Sequence, residues 1–207
     1  MALGAGSVTP LQLAAAYGVF ANGGFGVRPY LIDKVYDKDG RLLMQASPQK
    51  VGGKAPRVLD PRNAWLMTTM MQDVVRYGTA ARAGQLGRGD IAGKTGTTND
   101  ARDTWFAGYT PDLVAISWMG YDQPRSLGRG ETGAQSALPI WMNFMGAALK
   151  GTPQKGWAMP SGIISVKIDP ATGARVSENA VETFLGDLLG TEAPGMVEHF
   201  YQEFPPP

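Results

Sequence analysis

Apolar residues recur at helical spacing in three parts of the chain, and a proline stands near the start of each. The first part begins at Thr9-Pro10, where threonine can cap a helix, proline suits its first turn and Gln12 can close a capping box. Its apolar stripe consists of Leu13, Ala16, Tyr17 and Phe20. The pattern predicts a helix that ends at Asn22-Gly23-Gly24 and turns this stripe towards a core.

The other two helical segments begin and end in a similar way. One starts at Asp60-Pro61 and runs to Gly78, with a Met-rich stripe that is typical of a core-facing helix. Its apolar positions are Leu66, Met67, Met70, Met71, Val74 and Val75. The other starts at residues 136–139 and stops at Lys150-Gly151. Its apolar positions are Trp141, Phe144, Met145 and Leu149, so both helices are predicted to pack one face on a core.

Three short strands in succession are predicted between the second and third helices, within residues 90–100, 104–112 and 113–121. On the second of them Trp105, Phe106 and Tyr109 are predicted to belong to the core of the sheet. The charged residues between the first two strands have two open interpretations, the rim of a ligand cleft or a solvated turn. These residues are Asp100, Arg102 and Asp103.

The first of these strands carries the sequence Lys94-Thr95-Gly96-Thr97. A strand projects alternate side chains to the same side, so Thr95 and Thr97 can offer two hydroxyls to one carboxylate. Gly96 between them lets a ligand approach the backbone. The pattern therefore predicts capture of a peptide C-terminus or its mimic, whereas Thr98 continues the pattern with no assigned role. The alternative is a plain edge strand, because threonine is an ordinary strand former.

A solvent-facing β-ribbon is predicted where residues 30–36 and 41–45 flank a turn that ends in Asp39-Gly40. Loops are predicted at residues 46–57 and 122–135, which lack periodicity.

The pattern breaks near residues 151–161, so we expect two parts, residues 1–155 and 156–207. In the second part a hairpin is predicted between residues 163–168 and 174–176. A short helix is predicted at 180–189 and a disordered Pro-rich end at 204–207.

Composition excludes several classes of function. A chain of 207 residues with 43% hydrophobic content can bury a core, and 19 basic against 18 acidic residues favour neither nucleic acid nor an anionic membrane. Without cysteine and with one histidine, no common zinc site can form, so neither metal nor cofactor is expected. His199 is predicted to be a solvated tail residue. The sequence shows neither a membrane-spanning apolar run nor a signal-peptide pattern.

Five segments together resemble the transpeptidase domain of class A penicillin-binding proteins, most closely of the 1A type. They occur in the order of that family and cover about residues 3–150. The segments are residues 7–14, 21–24, 92–98, 105–111 and 139–141.

This resemblance implies an α/β fold of the α+β type, an antiparallel sheet flanked by helices as in serine β-lactamases and D,D-peptidases. It also implies the chemistry of the family, which acts on the periplasmic side of the bacterial inner membrane. A serine attacks the D-Ala-D-Ala bond of a peptidoglycan stem peptide, and an amine from a second stem peptide resolves the acyl-enzyme; β-lactams imitate that dipeptide. Lys94 would then support proton transfer. Thr95 and Thr97, beside Gly96, would hold the substrate carboxylate, and the Thr97 N–H would be one of two oxyanion donors.

Two further motifs of that family are not found in usable form. Ser47-Pro48-Gln49-Lys50 matches Ser-x-x-Lys but is predicted to lie in a loop, and Ser177-Glu178-Asn179 matches Ser-x-Asn but follows Lys94 instead of preceding it. We therefore expect an incomplete fold whose nucleophile, glycosyltransferase domain and membrane anchor lie upstream of Met1. The expected partners are a stem peptide or β-lactam, the upstream half of the domain, and a second copy through exposed apolar surface.

Two other functions remain open from the residues alone. One is a β-lactamase or D,D-carboxypeptidase relative, which the class A segments disfavour. The other is a non-catalytic ligand-binding or scaffolding module that would use the ribbon at residues 30–45 and the chain beyond residue 160 as its contact surfaces.

Overall fold

The computed structural model describes residues 6–176 and 195–207. The chain divides into two compact units, Met1–Ala158 and Met159–Pro207. The predicted helix at 180–189 and the Ser-x-Asn sequence at 177–179 lie outside the described residues.

The described part of the first unit, residues 6–158, contains three α-helices and five strands. The helices are α1 (Pro10–Ala21), α2 (Pro61–Arg76) and α3 (Leu138–Ala148); the strands are β1 (Lys34–Tyr36), β2 (Leu42–Gln45), β3 (Ala92–Thr97), β4 (Asp103–Tyr109) and β5 (Val114–Gly120). A 3₁₀ segment, Ala81–Leu86, follows α2, and a π-helical turn, Gly133–Ala137, precedes α3.

Strands β3, β4 and β5 form one antiparallel sheet in that order, with helices on both of its faces. On one face the Phe106 ring packs edge-on against Trp141 of α3, with 4.9 Å between ring centroids. On the other, Tyr109 meets Tyr17 of α1 at 6.1 Å. Because residues three apart on a strand face opposite sides, these two contacts define an α3 face and an α1 face of the sheet. The predicted fold class is confirmed.

The predicted helices are confirmed, but not every stripe residue is buried. Thr9 caps α1 as predicted, since Gln12 N donates to Thr9 Oγ1 at 3.2 Å and Thr9 N donates to Gln12 Oε1 at 2.9 Å. The prediction was wrong for Ala16, which is exposed, and Ala21 is buried instead. On α2, Met70 is exposed whereas Met71 is buried. On α3, Phe144 is exposed whereas Trp141, Met145 and the following Leu149 are buried. The part of each helix that contacts the core is narrower than its apolar stripe, so residues at the edge of the stripe stay exposed.

The predicted ribbon forms from β1 and β2, which pair antiparallel with all their residues exposed. Residues 46–50 have no regular structure and a turn follows at 51–54, so the predicted loop around Ser47 is confirmed.

The second unit contains β6 (Ile163–Ile168) and β7 (Met196–Tyr201), paired antiparallel. The predicted hairpin with residues 174–176 forms over a short stretch: Arg175 bridges Ile168, Asp169 N donates to Ala174 O at 2.9 Å and Val176 N donates to Lys167 O at 2.9 Å. The turn signal at 169–173 forms a turn, yet the long strand partner comes from much later in the chain. His199 is consequently not a tail residue: it lies half-buried on β7, and its Nδ1 is 3.0 Å from Ser165 Oγ. Near the end of the chain, the Pro207 carbonyl accepts from Arg175 N at 2.7 Å.

Candidate functional site

The Lys-Thr-Gly sequence lies on β3 at an edge of the sheet, and in the described part of the chain β4 is the one strand that pairs with it. Thr95 stands opposite Phe106 in the register, which assigns Thr95 and Thr97 to the α3 face. Lys94 and Gly96 therefore belong to the α1 face. The structure thus keeps the two hydroxyls on one side of the strand, as the alternation predicts.

Each of the two threonine hydroxyls already has a partner within the protein. Thr95 Oγ1 lies 2.7 Å from Thr79 Oγ1, in the connection between α2 and the 3₁₀ segment. Thr97 Oγ1 accepts from Gly133 N at 3.0 Å. Gly133 can approach so closely only because it lacks a side chain: a Cβ there would lie 2.5 Å from Trp105 O and 2.6 Å from Gly96 O.

The Thr97 amide points towards the open edge of the sheet. Thr98 N donates to Asp103 O at 3.0 Å, which makes these residues a hydrogen-bonded pair of the ladder. Such pairs alternate with non-hydrogen-bonded pairs in an antiparallel sheet, so the next pair, Thr97 and Thr104, directs the Thr97 N–H away from β4. This geometry suits an N–H that donates to a ligand beside the strand.

Lys94 is exposed and its ammonium group folds back onto its own strand. Its Nζ donates to Thr95 O at 3.0 Å and lies 3.4 Å from Thr95 Oγ1. Among the described residues no carboxylate pairs with it. It lines a groove of about 200 Å³ together with Val8, Leu13, Tyr17, Gly96 and Trp105.

The tyrosines on this face stay uncharged at physiological pH. Burial raises the pKa of Tyr17, and it raises the pKa of Tyr109 well above the ordinary tyrosine value, although a hydrogen bond between Tyr109 and Thr68 opposes the shift. A phenol that remains protonated cannot serve as the counter-ion of Lys94. Neither tyrosine therefore neutralises the Lys94 ammonium group.

Thr98 has a structural role that the sequence did not reveal. Asp103 N donates to Thr98 Oγ1 at 2.8 Å, so the side chain closes the turn between β3 and β4. Within that turn Asp100 and Ala101 have φ values of 61° and 49°, and Asp100 forms an exposed ion pair with Arg102 at 3.3 Å. Each of the two interpretations of these charged residues therefore applies to part of the group. Asp100 and Arg102 belong to a solvated turn, whereas Asp103 lines a groove.

That groove has a volume of about 620 Å³ and an aromatic wall on the α1 face. The rings of Trp105 and Trp118 lie 6.0 Å apart, and Trp118 Nε1 donates to Asp103 Oδ1 at 2.8 Å. Phe106 and Tyr109 are core residues as predicted, but Trp105 is half-buried and lines this groove. Gly96 and Thr97 form the adjoining part of its wall.

A buried ion pair anchors the start of β3. Arg88 Nη2 donates to Asp90 Oδ2 at 2.7 Å and Arg88 Nε to Asp90 Oδ1 at 2.9 Å, while Lys155 N also donates to Asp90 at 3.0 Å. Arg88 further binds the carbonyls of Thr152 and Pro153. Burial acts to raise the pKa of Asp90, but the hydrogen bonds from Arg88 and Lys155 outweigh it and the pKa lies below its usual value. The segment after α3 is thereby tied to the strand that carries Lys94.

The sequence pattern predicted site residues on β3 but not the residues that hold them. Thr79 and Gly133 are brought to β3 from elsewhere in the chain, the Arg88–Asp90 pair directly precedes the strand, and no periodic pattern marks any of them. Within residues 6–176 and 195–207, no group of three or more His, Cys, Asp or Glu residues could hold a metal ion. In the same residues no helix is long and apolar enough to span a membrane.

Comparison with known proteins gives concordant matches. The family profile described as "Penicillin binding protein transpeptidase domain" matches residues 1–145. Penicillin-binding protein 1A of Neisseria lactamica is 54% identical over 165 residues, which cover 80% of this chain and 21% of that protein. Penicillin-binding protein 1A of Pseudomonas aeruginosa is 39% identical, over 100% of this chain and 30% of that protein.

Solved structures agree with these sequence matches. The crystal structure of penicillin-binding protein 1A from Haemophilus influenzae superposes with a TM-score of 0.85 and 34% identity, covering 100% of this chain and 34% of that one. The D,D-transpeptidase domain of a peptidoglycan glycosyltransferase from Eggerthella lenta gives a TM-score of 0.55 and 28% identity, over 70% of this chain and 33% of that one. The chain thus spans about a fifth to a third of the length of these proteins.

Proposed function

The chain belongs to the penicillin-binding protein transpeptidase family, and from that premise we propose that it forms the carboxylate-binding side of a serine D,D-transpeptidase site. The observation that carries this proposal is the edge strand β3, with two hydroxyls on one face and a lysine on the other. A peptide C-terminus lying beside this strand would meet the hydroxyls of Thr95 and Thr97. The proposed ligands are the stem peptide of peptidoglycan and its β-lactam mimics.

In the proposed reaction, a serine oxygen attacks the carbonyl carbon of the penultimate D-Ala, and the terminal D-Ala leaves as its amine takes up a proton. An amine of a second stem peptide then attacks the acyl-enzyme and releases the serine. Lys94 supports proton transfer and balances the developing negative charge, for which an exposed ammonium group with no carboxylate partner among the described residues is suited. The outward Thr97 N–H stabilises the oxyanion, and Gly96 lets the ligand approach the backbone.

The proposed serine lies on a segment outside these 207 residues. Two facts support this assignment: the chain spans only part of the length of its relatives, and Ser47 lies in a loop that lacks the helix needed to place a lysine one turn away. We further propose that the complete protein carries a glycosyltransferase domain and an N-terminal anchor and cross-links peptidoglycan on the periplasmic side of the inner membrane. The experiments that need this serine use a reconstituted transpeptidase. It is this chain fused behind the upstream part of a transpeptidase domain, which supplies the serine of the Ser-x-x-Lys motif.

Thr95→Val and Thr97→Val are each expected to slow acylation of the reconstituted transpeptidase by benzylpenicillin about ten- to a hundredfold. Each removes a charge-assisted hydrogen bond to the carboxylate, worth about 1.5 to 3 kcal/mol. The second-order acylation rate measures this effect. Thr98→Val is the matched control, because Thr98 binds only the turn: it should lower stability by about 1 kcal/mol and leave the acylation rate within about twofold. Equal rates for all three variants and the wild type would refute the carboxylate role.

The 207-residue chain alone is expected to form no covalent adduct with benzylpenicillin, because the proposed nucleophile is absent from it. Intact-mass spectrometry after prolonged incubation should show the unmodified mass. A penicilloyl adduct mapped to Ser47 would contradict both this result and the assignment of the serine to another segment.

A scaffolding function is the second candidate, and the ribbon supports it. Leu31 and Leu43 are 88% and 63% exposed, and Tyr36, Leu42 and Met44 are further exposed apolar residues of the same segment. Such a surface is suited to self-association or to the remainder of the domain. Penicillin distinguishes the candidates, since covalent labelling requires the serine, reversible binding requires only β3, and a scaffold requires neither.

A further inference from the structure

Thr79 lies directly beside the predicted carboxylate site although it is 16 residues away from Thr95 in the sequence. Its Oγ1 is 2.7 Å from Thr95 Oγ1, a distance typical of a hydroxyl–hydroxyl hydrogen bond. We propose that Thr79 is a positioning residue that orients the Thr95 hydroxyl as a donor to a free carboxylate. This inference rests on the proposed function of Thr95.

The backbone on both sides of Thr79 is held by hydrogen bonds, although the Thr79 side chain itself is exposed. Gly78 N donates to Asp73 O and to Val74 O, both at 3.1 Å, and Ala80 N donates to Val74 O at 3.1 Å. Ala80 is also fully buried in the core cluster that contains Phe106. Thr79 thus extends from a rigid connection, and the Thr95 hydroxyl does not depend on a mobile loop for its orientation.

The number of protons on each hydroxyl decides the direction of this hydrogen bond. A threonine hydroxyl has one proton and two lone pairs, so Thr95 can donate to a carboxylate only if it accepts from Thr79. Lys94 Nζ, 3.4 Å away, is a donor only and cannot take that proton. When the ligand is bound, Thr79 therefore donates to Thr95, and Thr95 donates to the ligand.

Thr97 is oriented by the same logic, which supports the assignment for Thr95. Its Oγ1 accepts from Gly133 N, and a backbone N–H can only donate. The Thr97 proton must then point elsewhere, towards a ligand. Each hydroxyl thus accepts a hydrogen bond from within the protein: Thr97 accepts from Gly133 N, and in this proposal Thr95 accepts from Thr79. Two oriented donors recognise a charged carboxylate better than an ester, because a charged acceptor strengthens both hydrogen bonds.

The test compares acylation of the reconstituted transpeptidase by benzylpenicillin and by its methyl ester. Thr79→Val keeps the shape of the side chain but removes its hydroxyl, and it is expected to slow acylation by benzylpenicillin about five- to tenfold. The rate of acylation by the ester should change less than about twofold. The preference for the free carboxylate, which is the ratio of the two acylation rates, should therefore fall by about five- to tenfold. Thr79→Ser retains the hydroxyl and should restore both rates, and thermal melts separate these effects from loss of fold.

A double variant distinguishes this inference from the proposed function. If Thr79 acts through Thr95, Thr79→Val/Thr95→Val should be acylated at the same rate as Thr95→Val. Thr79→Val at the wild-type rate, with Thr95→Val slowed, would overturn the role of Thr79 alone. Multiplicative losses in the double variant, or equal slowing with the ester, would overturn it as well. Thr95→Val at the wild-type rate would overturn both the inference and the carboxylate role of Thr95.

Discussion

Lys94→Ala is expected to slow acylation of the reconstituted transpeptidase by benzylpenicillin about a thousandfold, the largest effect of any substitution on β3. It removes a cation that has no carboxylate partner among the described residues and that lines a groove with Tyr17, whose pKa is raised by burial. General acid–base catalysis contributes about a hundred- to ten-thousandfold in enzymes, and one electrostatic contact contributes a comparable factor. The loss should therefore exceed that of Thr95→Val. Stopped-flow measurement of the second-order acylation rate provides the test.

Lys94→Arg separates the two contributions of this lysine. An arginine retains the positive charge but does not release a proton at physiological pH. The acylation rate of Lys94→Arg should lie between those of the wild type and Lys94→Ala if charge and proton transfer both contribute. Thermal melts of all three proteins should coincide, because the Lys94 ammonium group is exposed and binds only its own strand. A wild-type acylation rate for Lys94→Ala would eliminate the catalytic role of Lys94.

Asp90→Ala is expected to lower the free energy of unfolding by about 3 to 5 kcal/mol, because it leaves the Arg88 guanidinium buried without a counter-charge. The side chains of Arg88 and Asp90 are only 11% and 5% exposed. Urea denaturation of the 207-residue chain measures the loss. Replacing both members, as in Arg88→Met/Asp90→Leu, should cost less than Asp90→Ala, because no buried charge is then left unpaired.

The turn after β3 offers a matched control for this ion pair. Asp100 and Arg102 also stand two residues apart, but their side chains are 70% and 53% exposed. Asp100→Asn should leave the melting temperature unchanged, since solvent screens an exposed pair and asparagine tolerates the positive φ at that position. Equal losses of stability in Asp90→Ala and Asp100→Asn would show that burial does not determine how much these ion pairs stabilise the fold.

The pH dependence of stability gives a second measure of the Asp90 interaction. Its folded-state pKa lies below the ordinary value of 3.8, so the unfolded chain binds a proton more readily than the folded one. The stabilisation is therefore present above the ordinary value and is lost as the pH falls through the folded-state pKa. The difference in urea midpoint between wild type and Asp90→Ala should be constant above about pH 5 and should narrow below about pH 4.

Local patterns in the sequence determined most of the elements of this protein. The capping box at Thr9, the prolines at the helix starts and the alternation on β3 and β4 each act over a few residues. Such signals predict an element wherever it packs, and they also assigned Thr95 and Thr97 to one face of a strand. The loop around Ser47 followed from Pro48 and two glycines by the same local reasoning.

Pairings between distant residues were decided by the tertiary structure. β6 pairs over its full length with β7, which comes from much later in the chain, and Arg88 reaches the carbonyls of Thr152 and Pro153. The same holds around the proposed site, where Thr79 and Gly133 meet the hydroxyls of β3 from 16 and 36 residues away. Periodicity records which face of an element is buried but not which other element covers it, because many partners can bury the same apolar area. Local alternation therefore predicted which side chains of β3 share a face, and only the packing of α2 and the turn before α3 decided how those side chains are held.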